Sequence, residues 1–143
     1  KDDFSIDGVT TGALFSDYQR QRIEKICDKL GLKVFSPLWH KDQEEYMREL
    51  IDNGFRFIMT AVAGEGLDKS WIGKEINEED VDRLVDINQS IGINIAGEGG
   101  EFETLVIDSP MFRKRIEIKD FEVNEEDKHT AVIEIKQAEL KAK

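Results

Sequence analysis

Glu98, Glu101 and Glu103 fall within the seven residues 97–103 and share that stretch with Gly97, Gly99 and Gly100. Carboxylates balance cations, accept protons and ligate hard metal ions, so this stretch carries the densest candidate chemistry in the chain. After Glu103 no Lys or Arg occurs before Arg113 to neutralise the three locally. Glycine accepts backbone conformations closed to other residues, which suits a sharp bend or a close approach to a ligand. If residues 101–104 are extended, Glu101 and Glu103 share one face. Composition alone describes equally well a glycine-rich turn with solvated glutamates ahead of a strand. A dinucleotide fingerprint is excluded, because Gly97-x-Gly99-x-x-Phe102 lacks the third glycine and no strand-to-helix turn surrounds it.

Other reactive side chains are sparse. Cys27 is the single cysteine, so no intrachain disulfide can form and a reducing compartment is the default expectation. Its helical spacing places it on an apolar face, as a core residue rather than a nucleophile. His40 and His129 are the only histidines, and neither has the cysteine or carboxylate spacing of a zinc site.

The elements that must position these residues follow from periodicity and turn chemistry. Residues 1–7 are polar and are expected to lead in from an upstream segment. Gly8 to Phe15 reads as a strand that ends near Gly12. Ser16 then caps a helix with Gln19 three residues on, and Ile23, Ile26, Cys27 and Leu30 form its apolar face up to Gly31. Leu32 to Phe35 reads as a second strand, which makes a right-handed parallel βαβ unit. Ligands on parallel sheets sit beyond the carboxyl ends of the strands, where Gly12, Ser16, Tyr18, Gln19, Arg20 and Arg22 gather. A helix N-terminus there offers free N–H groups to an anion, although a well-capped helix with two surface arginines has the same sequence.

Downstream, Asp42 to Glu45 opens a second helix with Tyr46, Met47, Leu50 and Ile51 on one face, ended by Asn53-Gly54. Phe55 to Ala63 is nearly all apolar and reads as a strand covered on both sides. The segment Gly64 to Lys74 has the composition of a phosphate-binding loop but neither its spacing nor a helix opening after Ser70. Asn77 caps a third helix, with Val81, Leu84, Val85 and Ile87 apolar and Gly92 beyond its end. The glutamate loop and the strand Leu105–Ile107 come next. Arg113 to Asp120, Phe121 to Val123 and Ala131 to Ala138 read as antiparallel strands, with Asn124 to Lys128 turning the hairpin.

The chain has 143 residues, 36% of them charged and 39% hydrophobic, with a net charge of −11. From Glu65 to Glu103 there are eleven acidic against three basic residues. Free nucleic acid is a poor partner for such a surface, whereas a cationic substrate or one carried through bound metal fits it. No run of 18 apolar residues and no signal peptide occur, so no membrane partner is expected and the expected location is cytoplasmic.

Gly-Glu-Gly-Gly-Glu-Phe-Glu-Thr (97–104), followed by an apolar strand and Asp108-Ser109-Pro110-Met111-Phe112, resembles the hallmark of the diphthine–ammonia ligase family, N-type ATP pyrophosphatases with a PP-loop. Thr-Gly-Ala-Leu-Phe-Ser-Asp-Tyr-Gln-Arg-Gln-Arg-Ile-Glu (11–24), with Cys27, Gly31-Leu32 and Pro37-Leu38-Trp39, resembles the family's second signature. Gly66 to Lys74 is similar to a third segment, with Lys74 in place of the usual Arg, which loses a bidentate grip on phosphate or carboxylate but keeps the charge. The likeness runs from about Asp7 to Lys141.

This resemblance implies an α/β fold: the C-terminal part of a PP-loop (adenine nucleotide alpha hydrolase-like) parallel sheet over residues 1–38, then a mixed α/β substrate domain over residues 39–143. It implies ATP and Mg2+ as cofactors, and translation elongation factor 2 bearing diphthine, together with ammonium, as partners. A homodimer is a further expectation. Gly12, Ser16, Tyr18, Gln19 and Arg22 would face the nucleotide. Gly97, Gly99, Gly100, Thr104, Lys74 and Trp71 would meet the substrate, with Glu98, Glu101 and Glu103 as the catalytic carboxylates. Those carboxylates could counter the trimethylammonium and imidazole of diphthine, hold ammonium and take its proton, or ligate Mg2+ beside the ATP phosphates. The family's Ser-Gly-Gly-x-Asp-Ser loop does not occur in these residues. The expectation is therefore that they form the C-terminal part of a longer protein; a short paralogue without ATP chemistry is the other reading. A non-catalytic elongation-factor-binding module, or an ATP pyrophosphatase acting on RNA, are the alternative functions, and a buried Cys27 and net negative charge argue against the second.

Overall fold

The computed structural model describes residues 5–143; the first four residues of the expected polar lead-in lie outside the described residues. The chain divides into two compact units, Lys1–Asp42 and Gln43–Lys143. Acidic and basic residues balance in the first unit, so the whole net charge of −11 falls on the second.

In the first unit, β1 (Gly8–Thr10), α1 (Asp17–Leu30) and β2 (Lys33–Phe35) form the parallel βαβ arrangement, with Val9 opposite Val34. β1 is shorter than the periodicity suggests, because Ala13 and Leu14 turn inward to be buried in the connection instead. Ser16 Oγ accepts the Gln19 N–H at 3.3 Å, and Gly31 closes α1 in the left-handed conformation with φ of 61°. The expected apolar face of α1 is only partly covered: Cys27 is buried, while Ile26 and Leu30 stay exposed. Two three-residue strands have area to cover little more than one helical turn.

In the second unit, β3 (Arg56–Ala63), β4 (Phe102–Asp108), β5 (Lys114–Asp127) and β6 (Thr130–Ala142) form an antiparallel sheet in the order β4-β3-β6-β5. β3 lies inside the sheet, which is why its sequence is continuously apolar: Phe57, Ile58, Met59 and Val62 are all buried. α2 (Gln43–Asp52) and α3 (Glu78–Ile91) supply Met47, Val81 and Leu84 to the same core, and Trp71 of a 3-10 turn (Lys69–Trp71) fills it from the side. Burial of side chains this large contributes about 1.5–3 kcal/mol each. Arg48 ties α2 to α3 by pairing with Glu44, Glu78 and Asp82 at 2.6–2.9 Å.

The hairpin differs from the sequence expectation. β5 runs unbroken through Asn124–Asp127, and Lys128 and His129 make the turn. Asp127 holds that turn by accepting the His129 N–H at 2.8 Å and the Thr130 hydroxyl at 3.2 Å. A register shift between Ile118 and Phe121 absorbs the polar Lys119-Asp120 pair and restores alternation beyond it.

Candidate functional site

The glutamate loop is the connection between α3 and β4. Gly92 ends α3 with φ of 84°, and the next residues fold around Asn94. Asn94 Oδ1 accepts the N–H groups of Ala96 at 3.0 Å and Glu98 at 3.2 Å, and its carbonyl accepts the Gly97 N–H at 3.1 Å. Gln43, at the start of α2, secures the other flank by accepting the Ile95 N–H at 2.8 Å. The first bond is an Asx turn, whose sequence signal was a lone Asn between two isoleucines and ahead of a glycine. Neither Asn94 nor Gln43 stands out by residue type alone.

The three glutamates occupy different surroundings. Glu98 is exposed at the loop tip. Burial, and after it the charge of Glu98, pushes the phenol of half-buried Tyr46 above its usual range. Glu103 is exposed on β4, opposite Ala61. Glu101 stands just ahead of β4 and turns back: its Oε1 accepts the Asn94 N–H at 2.9 Å, and its carbonyl accepts the Ala63 N–H at 2.7 Å. Its other oxygen, Oε2, is buried without a hydrogen-bond partner.

The glycines have separate reasons. Gly97 has φ of +75°, and a Cβ there would lie 2.7 Å from the Phe102 ring. Gly100 has φ of +86° with open space around it. Gly99 is not in the left-handed region, but a Cβ would come within 2.4 Å of Glu101 Oε1 and 2.6 Å of Oε2. Gly64 meets the same side chain from another direction, since a Cβ there would be 3.1 Å from Glu101 Cβ. Thr104 is exposed on β4 beside Glu103.

Trp71 and Lys74 are placed otherwise. Trp71 is 1% exposed, and its ring is approached by Lys74 Nζ, 4.9 Å from the centroid, and by Arg83 Cζ at 4.2 Å. Both cations bind Asp80 Oδ1, Lys74 at 2.5 Å and Arg83 at 3.2 Å, and Asp80 is itself buried. The ammonium of Lys74 is thus taken up by an internal carboxylate, and Trp71 serves the core.

In the first unit, Gly12 is exposed with open space around it, ahead of Ser16 and α1. Gln19 is held by its backbone to Ser16, while Tyr18 is exposed and bonded through its hydroxyl to Arg22, whose guanidinium lies 5.1 Å from the ring centroid. Arg20 is occupied by Glu24 at 2.6 Å and stacks over Trp39.

A groove of about 260 Å³ opens elsewhere in the second unit, lined by Ile58, Ile107, Ile116 and Ile118 between charged residues. None of the loop glutamates lines it, and its aliphatic floor describes a seam between hairpin and sheet. Among the described residues, no group of three or more His, Cys, Asp or Glu side chains is gathered to hold a metal ion. A Mg2+ ion carried on phosphates needs only one or two carboxylates.

A parallel βαβ unit followed by an antiparallel sheet that presents acidic side chains on a braced glycine loop defines an α/β protein with its candidate chemistry in the second unit. A family model described as the diphthamide synthase C-terminal domain matches residues 42–140, and one described as the diphthamide synthase N-terminal domain matches residues 2–34. The chain belongs to the diphthamide synthase family. It is 44% identical over 120 residues to a protein of Schizosaccharomyces pombe named diphthine–ammonia ligase, covering 84% of this chain and 20% of that one. Proteins of the same name from Homo sapiens and Danio rerio are 36% and 41% identical over 124 and 118 residues, covering 86% and 81% of this chain. The chain spans less than half the length of these relatives, 46% in the human case.

Proposed function

We propose that this chain is the substrate-recognising part of an ATP-dependent ligase that converts diphthine on translation elongation factor 2 into diphthamide. The observation that carries this reading is the pair of exposed carboxylates of the acidic unit, Glu98 on the braced loop and Glu103 on the strand β4 that follows it. The support from kinship is the name shared by relatives 36–44% identical to the chain.

A carboxylate is a poor electrophile. ATP supplies the leaving group: the diphthine carboxylate displaces pyrophosphate to become an acyl adenylate, and ammonia then displaces AMP to give the amide. The residues of this chain bind and orient. The trimethylammonium of diphthine is a cation that finds counter-charge at Glu98 and Glu103. Ammonium must lose one proton before it attacks, and an exposed carboxylate of the loop can accept it. Gly12 and the Ser16-capped start of α1 offer an anion-tolerant helix end for the nucleotide. A cytoplasmic location follows from such a partner.

The test is amide formation on diphthine-bearing elongation factor 2 by the full-length protein, read by mass spectrometry with ATP and ammonium supplied. Amide and AMP appearing together, and only with ATP, are expected. Absence of product under those conditions would refute the ligase reading.

A further inference from the structure

We infer that Glu101 is the positioning residue of the glutamate loop, acting through Asn94, and that Glu98 and Glu103 are the carboxylates that meet the substrate. This rests on the proposed ligase function for the identity of the site, but the bracing itself is independent of it.

Four observations converge. Glu101 Oε1 accepts the Asn94 N–H at 2.9 Å, and Asn94 Oδ1 in turn accepts the Glu98 N–H at 3.2 Å, so one carboxylate fixes the residue that fixes the next. Glu101 is also anchored by its own carbonyl to Ala63 N–H at 2.7 Å. Its side chain is enclosed by Gly64 and Gly99, at both of which a Cβ would press on it. Its second oxygen, Oε2, is buried, so a substrate group could reach it only after the loop opened. Glu98 and Glu103, in contrast, are exposed. An unpartnered buried carboxylate oxygen is costly, and the fold retains it while using only the acceptor next to it.

The role needs an acceptor oxygen, not a negative charge. Gln keeps that oxygen at nearly the same place, whereas Ala removes it. Gly99→Ala is expected to imitate the loss: Gly99 is not in the left-handed region, but the added Cβ would displace the carboxylate from Asn94.

The experiment uses the full-length protein with Glu101→Gln, Glu101→Ala and Gly99→Ala. It reads kcat and KM for diphthine-bearing elongation factor beside hydrogen exchange of the Asn94 amide, with the Met59 amide of the core as a folding control. In Glu101→Gln, Asn94 should stay protected and kcat should fall by only about threefold. In Glu101→Ala and Gly99→Ala, protection of Asn94 should drop by about tenfold, the value of one hydrogen bond, and kcat should fall further than in Gln. Loss of kcat in Glu101→Gln equal to that in Ala, with Asn94 still protected, would show that the charge itself is required and overturn the inference. Unchanged Asn94 protection in Glu101→Ala would overturn it as well. Because exchange is measured without substrate, failure of the ligase reading leaves the bracing separately decided.

Discussion

At the scale of single residues, the glycines of the loop can be ranked by what surrounds them. Gly97 combines a left-handed backbone with the Phe102 ring at 2.7 Å from any added Cβ, while Gly100 has the backbone angle alone. A left-handed residue with a Cβ costs about 1–2 kcal/mol. Urea denaturation should therefore show Gly100→Ala destabilised by about that amount, and Gly97→Ala by more because Phe102, a core residue, must shift. Equal losses would mean that the ring moves away freely. The glycine pattern was plain in the sequence, and so were the three carboxylates. The different role of Glu101 was not, because it depends on the Asn94 amide seven residues earlier, a contact made only when the loop closes. The surroundings of Lys74 and Trp71 were not legible either: Asp80, whose burial no local pattern announces, pairs with the lysine beside the buried indole.

At the scale of elements, α3 is the helix most firmly specified by its ends. Asn77 and Asp80 form a reciprocal capping box, with Asn77 Oδ1 accepting the Asp80 N–H at 3.1 Å and Asp80 Oδ2 accepting the Asn77 N–H at 3.4 Å. Asp at the third helical position does here what Glu or Gln more often does. Loss of the cap in Asn77→Ala should cost about 1 kcal/mol in chemical denaturation. Asp80→Ala should cost more: it keeps the backbone N–H that Asn77 Oδ1 accepts, but it removes the reciprocal bond from the Asn77 N–H and leaves Lys74 and Arg83 without their shared carboxylate. A result in the reverse order would show that the ion pairs add nothing. Helix starts and stops were legible from Ser16, Gly31, Asn77 and Gly92, where one side chain or one backbone angle decides the outcome. The long β5–β6 hairpin was less so. Asn, Glu and Asp in a row suggest a turn, but cross-strand pairing with Ala131 and Val132 holds them extended, and the two-residue turn falls beyond them.

At the scale of the whole molecule, charge and kinship carry the argument. Several carboxylates of the second unit, among them Asp68, Asp108, Glu117 and Glu134, are held below the usual carboxylate range by hydrogen bonds to Ser70 or to the nearby Lys143, Lys119 and Lys136. A depressed folded-state pKa gives stability that is present above the unfolded value and lost as pH falls through the folded one. The melting temperature should therefore decline on acidification below about pH 4, the range of unperturbed carboxylates. A flat acid limb would show these contacts to be energetically idle. These 143 residues by themselves should bind ATP weakly or not at all, because no Ser-Gly-Gly-x-Asp-Ser loop is present to cradle its phosphates; micromolar affinity by calorimetry would require another phosphate site. The most direct test of the central claim is amide formation on diphthine-bearing elongation factor 2 by the full-length protein carrying Glu98→Gln and Glu103→Gln together, beside its melting temperature. Turnover should collapse with the melting temperature held or slightly raised, since two exposed like charges are removed from an acidic unit. Wild-type turnover in that variant would contradict the assignment of the loop as the substrate site.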